Sequence, residues 1–191
     1  SIIGVGTWIG LSGIDSSNEA LQAVYQANMK PANLVGRSLR LMGENRSQVA
    51  LALQHDPALA QRADVHDHPL ARHTEAITRN RIEIDAIMTE LASMSLPQEV
   101  AEPLRAFAQA RDAYASEALK PSRMALDAGE FEEAGMLLVS KVNPLYDRAR
   151  EAGEHVLQVL ERSAASADEA AMARYFQVRN LSLVGGLGGT V

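Results

Sequence analysis

The chain has 191 residues, of which 47% are apolar, a net charge of −6 and no cysteine. This length is typical of one domain with a substantial core, and the lack of cysteine excludes disulfides, thiolate metal sites and covalently attached c-type haem. The negative charge argues against a nucleic-acid partner, because phosphate binding needs a basic face. Helix-forming residues dominate the long segments and no alternating β-branched run occurs, so we expect an all-α protein.

The two ends of the chain differ from the middle. Residues 1–14 and 181–191 are nearly free of charge and rich in Gly and aliphatic residues. Each is shorter than the ~20 residues that span a bilayer, and neither has the pattern of a signal peptide. We interpret residues 1–14 as the end of a first transmembrane segment and residues 178–191 as the start of a second. The alternative is a pair of ordinary flexible termini.

The first predicted helix runs from about residue 15 to residue 54. Its apolar residues recur at alternating spacings of four and three, which is typical of the seam of a left-handed helical bundle. Asn28 and Arg46 occupy polar positions in this seam, and Pro31 predicts a kink. Residues 55–69 are predicted to form a polar loop.

Three further helices show the same spacing. The second is predicted over residues 70–94, and the third ends at Gly129, which suits the residue after a helix C-terminus. The fourth continues weakly to about residue 175. We therefore predict an antiparallel up-down-up-down four-helix bundle over residues 15–177, with long first and fourth helices and truncated transmembrane stubs on both sides.

Three arginines occupy seam positions at a similar height. Arg46, Arg81 and Arg111 fall within one or two turns of each other when residues are counted from the helix ends. No Asp or Glu lies in a seam position, so the bundle offers no evident counter-ion, and a buried unpaired charge is costly. We predict that a carboxylate ligand, which matches the arginine fork, binds in a shared interior. The predicted ligand-binding residues are Arg111, Arg81, Thr74, Arg46, Tyr114, Asn143 and Tyr146.

The arginines have a second interpretation. Side chains at the edge of a seam often reach solvent and pair with flanking acids, and candidates here are Glu44, Glu83, Asp85 and Asp112. Arg37 and Arg40 form another basic cluster on the first helix, facing either a partner subunit or water.

Two stretches resemble one family. Phe107 to Arg150 carries Arg111, Tyr114, Pro121, the Gly129 turn and Asn143-Pro144 in order, and the first helix carries Tyr25, Pro31 and Asn45-Arg46. This order resembles the sensor domain of bacterial methyl-accepting chemotaxis receptors over most of residues 15–177.

The resemblance implies a homodimer that associates through the first helix, with a periplasmic bundle between two helices of the inner membrane. It also implies signalling, without catalysis, to a cytoplasmic kinase complex through a domain absent from this chain. The family's ligands are small anions, and its aspartate receptors place arginines on the first helix at the dimer interface. Only Arg40, with Arg37 beside it, lies near that register, so we favour a di- or tricarboxylate bound within one bundle.

Other classes of protein remain as alternatives. A di-iron bundle needs paired Glu-x-x-His motifs, which the histidines do not form, and no nucleophile motif occurs, so we expect no metal, no cofactor and no enzyme activity. His66 and His68 with Asp64 and Asp67 offer an adventitious metal site, but we interpret them as part of a solvated loop. An amino-acid chemoreceptor, a histidine-kinase sensor domain and a ligand-free helical interaction module are the remaining possibilities.

Overall fold

The computed structural model of the chain describes residues 25–59 and 67–187, so the predicted stub at residues 1–14 lies outside them. Four helices and no strand occur in the described ranges. We label them α1 (residues 25–55), α2 (Ala71–Ser93), α3 (residues 98–127) and α4 (residues 131–187). Helix α1 consists of a π-helical turn at Tyr25–Met29, an α-helix at Lys30–Ala52 and a 3-10 turn at Leu53–His55. Helix α3 consists of α-helices at Gln98–Ala113 and Lys120–Asp127 with a π-helical turn at Tyr114–Leu119 between them. Helix α4 consists of α-helices at Phe131–Leu137 and Asn143–Leu187 with a π-helical turn at Leu138–Val142 between them.

The chain divides into two compact units. Pro31–Leu157 forms one unit, which contains segments of all four helices and is the four-helix bundle. Ser1–Lys30 and Gln158–Val191 form the other, which contains the described start of α1 and the end of α4. No helix in the described ranges is both long and apolar enough to cross a membrane. The boundaries at residues 14 and 178 therefore stay predictions.

Contacts between side chains fix the direction of the helices. Between α1 and α2, Gln48 meets His73 while Arg37, three turns earlier in α1, meets Glu83, later in α2. A step forward along α1 thus matches a step backward along α2, so the two helices are antiparallel. Short connections at residues 94–97 and 128–130 make the next pairs antiparallel as well. The predicted up-down-up-down architecture is confirmed.

Much of the core of the bundle lies on the predicted seams. The buried seam residues are Val35, Met42 and Val49 in α1, Ile77, Ile84 and Leu91 in α2, and Val100, Leu104, Phe107 and Tyr114 in α3. In α4 the predicted seam residues Val142, Ala149 and Val156 are buried together with Ala134 and Leu160, whereas the predicted seam residues Leu138 and Leu145 are half-exposed. The π-helical turn at Leu138–Val142 adds a residue to the turn and shifts the phase of the helix there.

Gly129 ends α3 as the sequence predicts. Its φ is +76°, in the left-handed region that glycine adopts without a steric penalty. The Glu130 amide donates to the Ala125 carbonyl at 2.8 Å and the Gly129 amide donates to the Leu126 carbonyl at 3.0 Å. This pair of hydrogen bonds is the Schellman motif, which satisfies the last carbonyls of the helix and lets α4 start at once.

A π-helical turn precedes three of the prolines. The turns end at Met29, Leu119 and Val142, and Pro31, Pro121 and Pro144 each follow two residues later. Proline has no amide hydrogen and its ring clashes with the carbonyl four residues earlier, and a wider turn relieves that clash. The sequence predicts a kink at Pro31, and a local π turn is the form that the adjustment takes. Two of these turns position predicted site residues, because Tyr114 begins one and Asn143 follows another.

Candidate anion-binding grooves

A groove of about 490 Å³ lies between α2 and α3. Ile77 and Leu119 line its apolar part, and hydroxyl groups come from Thr78 and Ser116. The charged side chains that line it are Arg81, Asp85, Arg111, Asp112, Lys120 and Arg123. A volume of this size is within the range of small-molecule sites, and the polar groups converge from two rigid helices.

Spacings of four residues bring these side chains to one side of the groove. On α2, Arg81 and Asp85 are four apart, and on α3 the same spacing relates Asp112 to Ser116 and Ser116 to Lys120. Residues four apart lie above one another on a helix surface. Each helix therefore contributes a row of polar side chains beside its apolar seam.

Arg111 has counter-ions within the chain. Its side chain is only 11% exposed, and it forms ion pairs with Asp85 across the groove and, at 2.6 Å, with the neighbouring Asp112. Arg81 also pairs with Asp85, at 3.2 Å, but its side chain is 54% exposed. The expectation that the bundle lacks a counter-ion is therefore wrong for these two arginines. The interpretation that they pair with flanking acids describes them correctly.

Positive charge nevertheless exceeds negative charge in the groove. Four cationic side chains line it against two carboxylates. Arg123 also forms an ion pair at 2.7 Å with Asp127, one turn further along α3. When Asp127 is counted, the groove has one more positive than negative side chain. Among the residues that the structure describes, Lys120 makes no ion pair, and it is exposed. The groove can therefore attract an anion without first losing all of its internal pairs.

A second groove, of about 520 Å³, lies between α1 and α4. Arg46 lines it together with Ser47, Asn143 and Tyr146. The guanidinium of Arg46 lies 5.1 Å from the centroid of the Tyr146 ring, a distance typical of a cation–π contact. Within the described part of the chain Arg46 makes no ion pair, so it is an arginine without an internal carboxylate partner.

Tyr114 lies in the core between the two grooves. Its residue exposure is 1%, and its hydroxyl donates to the Met42 carbonyl at 3.1 Å. Burial raises the pKa of Tyr114 well above its usual range, so the hydroxyl keeps its proton and remains a donor. The ring centroid lies 5.9 Å from that of Tyr146. Tyr114 thus contacts the side chain that borders the second groove but its own donor is engaged in the core.

Thr74 is separate from both grooves. It is buried, its hydroxyl donates to the Ala71 carbonyl at 3.4 Å, and it lines a shallow depression with Thr78, Arg79 and Arg123. Thr78 and Arg123 also line the groove between α2 and α3, so the depression adjoins that groove.

The seven predicted site residues do not share one interior. Arg81 and Arg111 line the groove between α2 and α3, while Arg46, Asn143 and Tyr146 line the groove between α1 and α4. The expectation of three arginines converging inside the bundle is wrong, because Arg46 lines one groove while Arg81 and Arg111 line the other.

The other arginines of α1 have partners of their own. Arg37 donates to Glu83 at 2.6 Å, and Arg40 lies 3.8 Å from Glu44 on the same helix. Both arginine side chains are more than half exposed. Neither lines one of the grooves described above.

Four charged residues of the groove between α2 and α3 were not among the predicted site residues, namely Asp85, Asp112, Lys120 and Arg123. The signal was present, because Lys120 lies eight residues after Asp112 and Arg123 lies twelve after Arg111, on the same rows of α3. These residues lie in rows beside the seam, and the side chains of such rows line the grooves between helices, so seam positions alone do not predict them.

The all-helical bundle thus presents grooves lined by cationic side chains that suit a small anion. Comparison with protein families gives the class of domain: residues 2–173 match the family described as "Tar ligand binding domain homologue". Because this match spans most of the chain, the chain belongs to that family, whose members are periplasmic, non-catalytic ligand-binding domains of membrane chemoreceptors. The comparisons with curated proteins and with solved structures gave no match.

Proposed function

We propose that this chemoreceptor sensor domain binds a small organic acid, a di- or tricarboxylate, in the groove between α2 and α3. The observation that carries the proposal is the convergence of Arg81, Arg111, Lys120 and Arg123 on one groove of suitable volume. Arginine forks bind carboxylates through paired hydrogen bonds, and a ligand with several carboxylates can engage more than one of them. Lys120 adds a cation that is not engaged in an ion pair with the described residues.

Binding would exchange internal ion pairs for ligand contacts. Arg111 is held by Asp85 and Asp112, and Arg81 shares Asp85. A carboxylate that enters the groove competes with Asp85 for both guanidinium groups, so α2 and α3 change their mutual contacts. A ligand shifts an equilibrium between two packings only by its differential affinity for them, and this exchange provides such a difference.

The output of the domain follows from its family. We propose that the domain is residues 15–177, that it stands between membrane segments at residues 1–14 and 178–191, and that it forms a homodimer through α1. A displacement of α4, which continues to Leu187, would carry the signal to the inner membrane and to a cytoplasmic kinase complex.

An amino acid is the second candidate ligand, and one observation favours it. The same groove contains Asp85 and Asp112, whose carboxylates can accept hydrogen bonds from an ammonium group while the arginines hold the carboxylate. The positive excess of the groove favours a net anion over a zwitterion, so the organic acid remains the first choice.

A thermal-shift screen separates these candidates. The chain is melted with succinate, malate, citrate and the common amino acids at millimolar concentration. A ligand at 100 times its dissociation constant stabilises by about 2.7 kcal/mol, which for this size is a shift of about 5–10 °C. We expect a di- or tricarboxylate to produce the largest shift.

The double variant Lys120→Ala/Arg123→Ala tests whether the ligand that raises the melting temperature binds in the groove between α2 and α3. Both side chains are at the rim of the groove, so their removal should leave the melting temperature of the ligand-free chain almost unchanged. The variant should lose most of the ligand-induced shift. Arg105→Ala, which removes an exposed arginine outside this groove, is the matched control and should keep the shift. A shift from amino acids alone would favour the second candidate, and no shift from either class would overturn the proposal.

A further inference from the structure

Three histidines come together at the end of α1 and the start of α2. His55 ends α1, His68 precedes α2 and His73 lies in its first turn. Their ring nitrogens offer one ligand atom each, and these atoms all lie within 4.8 Å of one another. The three ring centroids are 4.9–5.2 Å apart with edge-on geometry, so the rings converge on one point. His68 was predicted to lie in a solvated loop, but it is half-buried, as is His55, and His73 is buried.

Hydrogen bonds at the far side of two rings determine which nitrogens face inward. The Nδ1 of His68 lies 2.7 Å from Asp67 Oδ1, and the Nδ1 of His73 lies 2.6 Å from Gln48 Oε1. An ionised carboxylate and an amide oxygen only accept hydrogen bonds, so each Nδ1 is the donor. In the neutral rings the two Nε2 atoms then carry lone pairs, and they lie 2.9 Å from each other.

Two lone pairs at this distance repel unless a positive charge lies between them. A shared proton would join only His68 to His73, whereas a metal ion can bind all three rings, whose ligand atoms lie within 4.8 Å of one another. We propose that His55, His68 and His73 form a binding site for a divalent transition-metal ion, with Zn²⁺ as the ion that fits best. Zinc bonds to imidazole nitrogen at about 2.0–2.1 Å, which places tetrahedral ligands about 3.4 Å apart. Small rotations of the half-buried rings bring the three nitrogens to that spacing.

The hydrogen bonds of Asp67 and Gln48 support a metal site independently. Histidines that bind metals almost always donate their second nitrogen to a carboxylate or carbonyl oxygen, which fixes the tautomer and the orientation of the ring. His68 and His73 both have this arrangement. Three protein ligands leave one coordination position for water or another small ligand.

The consequence for the fold is a link between two helices. His55 and His68 lie on either side of the connection from α1 to α2, so a bound ion joins the end of one helix to the start of the next. This end of α1 also adjoins the Gly129 turn, since Asp56 and Ala58 line a depression with Gly129 and Glu130. The site shares no residue with either anion-binding groove, so this proposal is independent of the proposed function.

The test is a zinc titration of the metal-free chain, prepared without a polyhistidine tag, by isothermal titration calorimetry. We expect one ion per chain and a rise in melting temperature that grows with zinc concentration. His68→Ala, which changes a half-buried residue outside the helices, should abolish the tight site. His155→Ala, which removes the exposed histidine of α4, is the matched control and should bind zinc like the unchanged chain.

Two further measurements distinguish a built site from chance binding. Gln48→Met removes only the hydrogen bond to His73 and should weaken zinc binding by about 10–100-fold. Cobalt, added to the unchanged chain, should give the intense visible absorption of a four-coordinate site. The proposal is overturned if zinc does not bind, which would leave a shared proton between His68 and His73. It is also overturned if His68→Ala and His155→Ala bind zinc equally, or if cobalt stays six-coordinate, since binding would then be adventitious.

Discussion

The approach of α1 and α3 to α4 depends on the absence of a side chain at Gly153. A Cβ atom there would lie 2.7 Å from Leu39 Cδ2, 3.1 Å from Leu39 Cγ and 3.0 Å from Phe107 Cε2. Phe107 is fully buried and has no space to move into, so only the side chain of Leu39 can shift to accommodate a new Cβ atom. Gly153→Ala therefore places a methyl group between two side chains that already touch the backbone of α4.

The expected magnitude follows from two opposing effects. Replacing Gly by Ala inside a helix stabilises by about 1 kcal/mol, whereas an extra methyl group in a packed core costs about 1–3 kcal/mol. Gly36 in α1 gives the first effect alone, because a Cβ there meets nothing within 4 Å. We expect Gly36→Ala to raise the melting temperature by about 2–4 °C and Gly153→Ala to leave it unchanged or lower it.

Thermal and urea unfolding followed by circular dichroism measure both variants against the unchanged chain. The difference in the free energy of unfolding between them should be about 1–3 kcal/mol, because the helix-propensity gain is common to both. Equal stabilisation by the two substitutions would refute the packing of α4 against Leu39 and Phe107.

Three other predictions concern single side chains. Gly129→Ala should lower the free energy of unfolding by about 1–2 kcal/mol in urea melts because its φ is +76°, whereas Gly135→Ala, where a Cβ meets nothing, should not lower it. Tyr114→Phe should lower the free energy of unfolding by about 1 kcal/mol, because it loses the hydrogen bond to the Met42 carbonyl. Tyr146→Phe, at a half-exposed residue, is the control and should lower it by less, so equal losses would contradict the hydrogen bond of Tyr114. Asp85→Asn should strengthen binding of an organic acid about 10-fold in calorimetry, because it releases Arg81 and Arg111 from their ion pairs. Glu83→Gln is the control and should have no effect on binding. Weaker binding by Asp85→Asn would contradict the idea that the ligand competes with Asp85 for these arginines.

Much of the fold could be predicted from the sequence because its signals are local. The four-three spacing placed Val35, Met42 and Phe107 in the core, and Gly129 marked the turn before α4. In α4 the predicted seam residues Val142, Ala149 and Val156 are buried, but Leu138 and Leu145 are half-exposed beside a π-helical turn that interrupts a regular count. Pro144 was a warning of this irregularity, but a proline does not reveal how a helix adapts.

The site was predicted less well than the fold, for a geometric reason. A count of residues predicts the heights of Arg46, Arg81 and Arg111 but not the side on which each leaves its seam. In the structure Arg46 contacts Tyr146 in one groove and Arg111 contacts Asp85 in the other. The ion pairs of Arg111 with Asp85 and Asp112 follow from the flanking acids of the sequence, whereas seam positions alone predict no counter-ion.

The histidine cluster illustrates the same limit. His55 and His73 are separated by a connection without periodicity, so no spacing rule relates them. Only the meeting of α1 and α2 in space brings them together with His68.

The central claim is that an organic acid binds between α2 and α3, and calorimetry of the best ligand on two arginine variants tests it most directly. Arg81 and Arg46 line different grooves, and replacing either by Ala leaves the core intact. A charged hydrogen bond is worth about 1.5–3 kcal/mol, so Arg81→Ala should raise the dissociation constant about 10–100-fold, while Arg46→Ala should leave it unchanged. The opposite result, with binding lost only in Arg46→Ala, would contradict the account and place the ligand between α1 and α4.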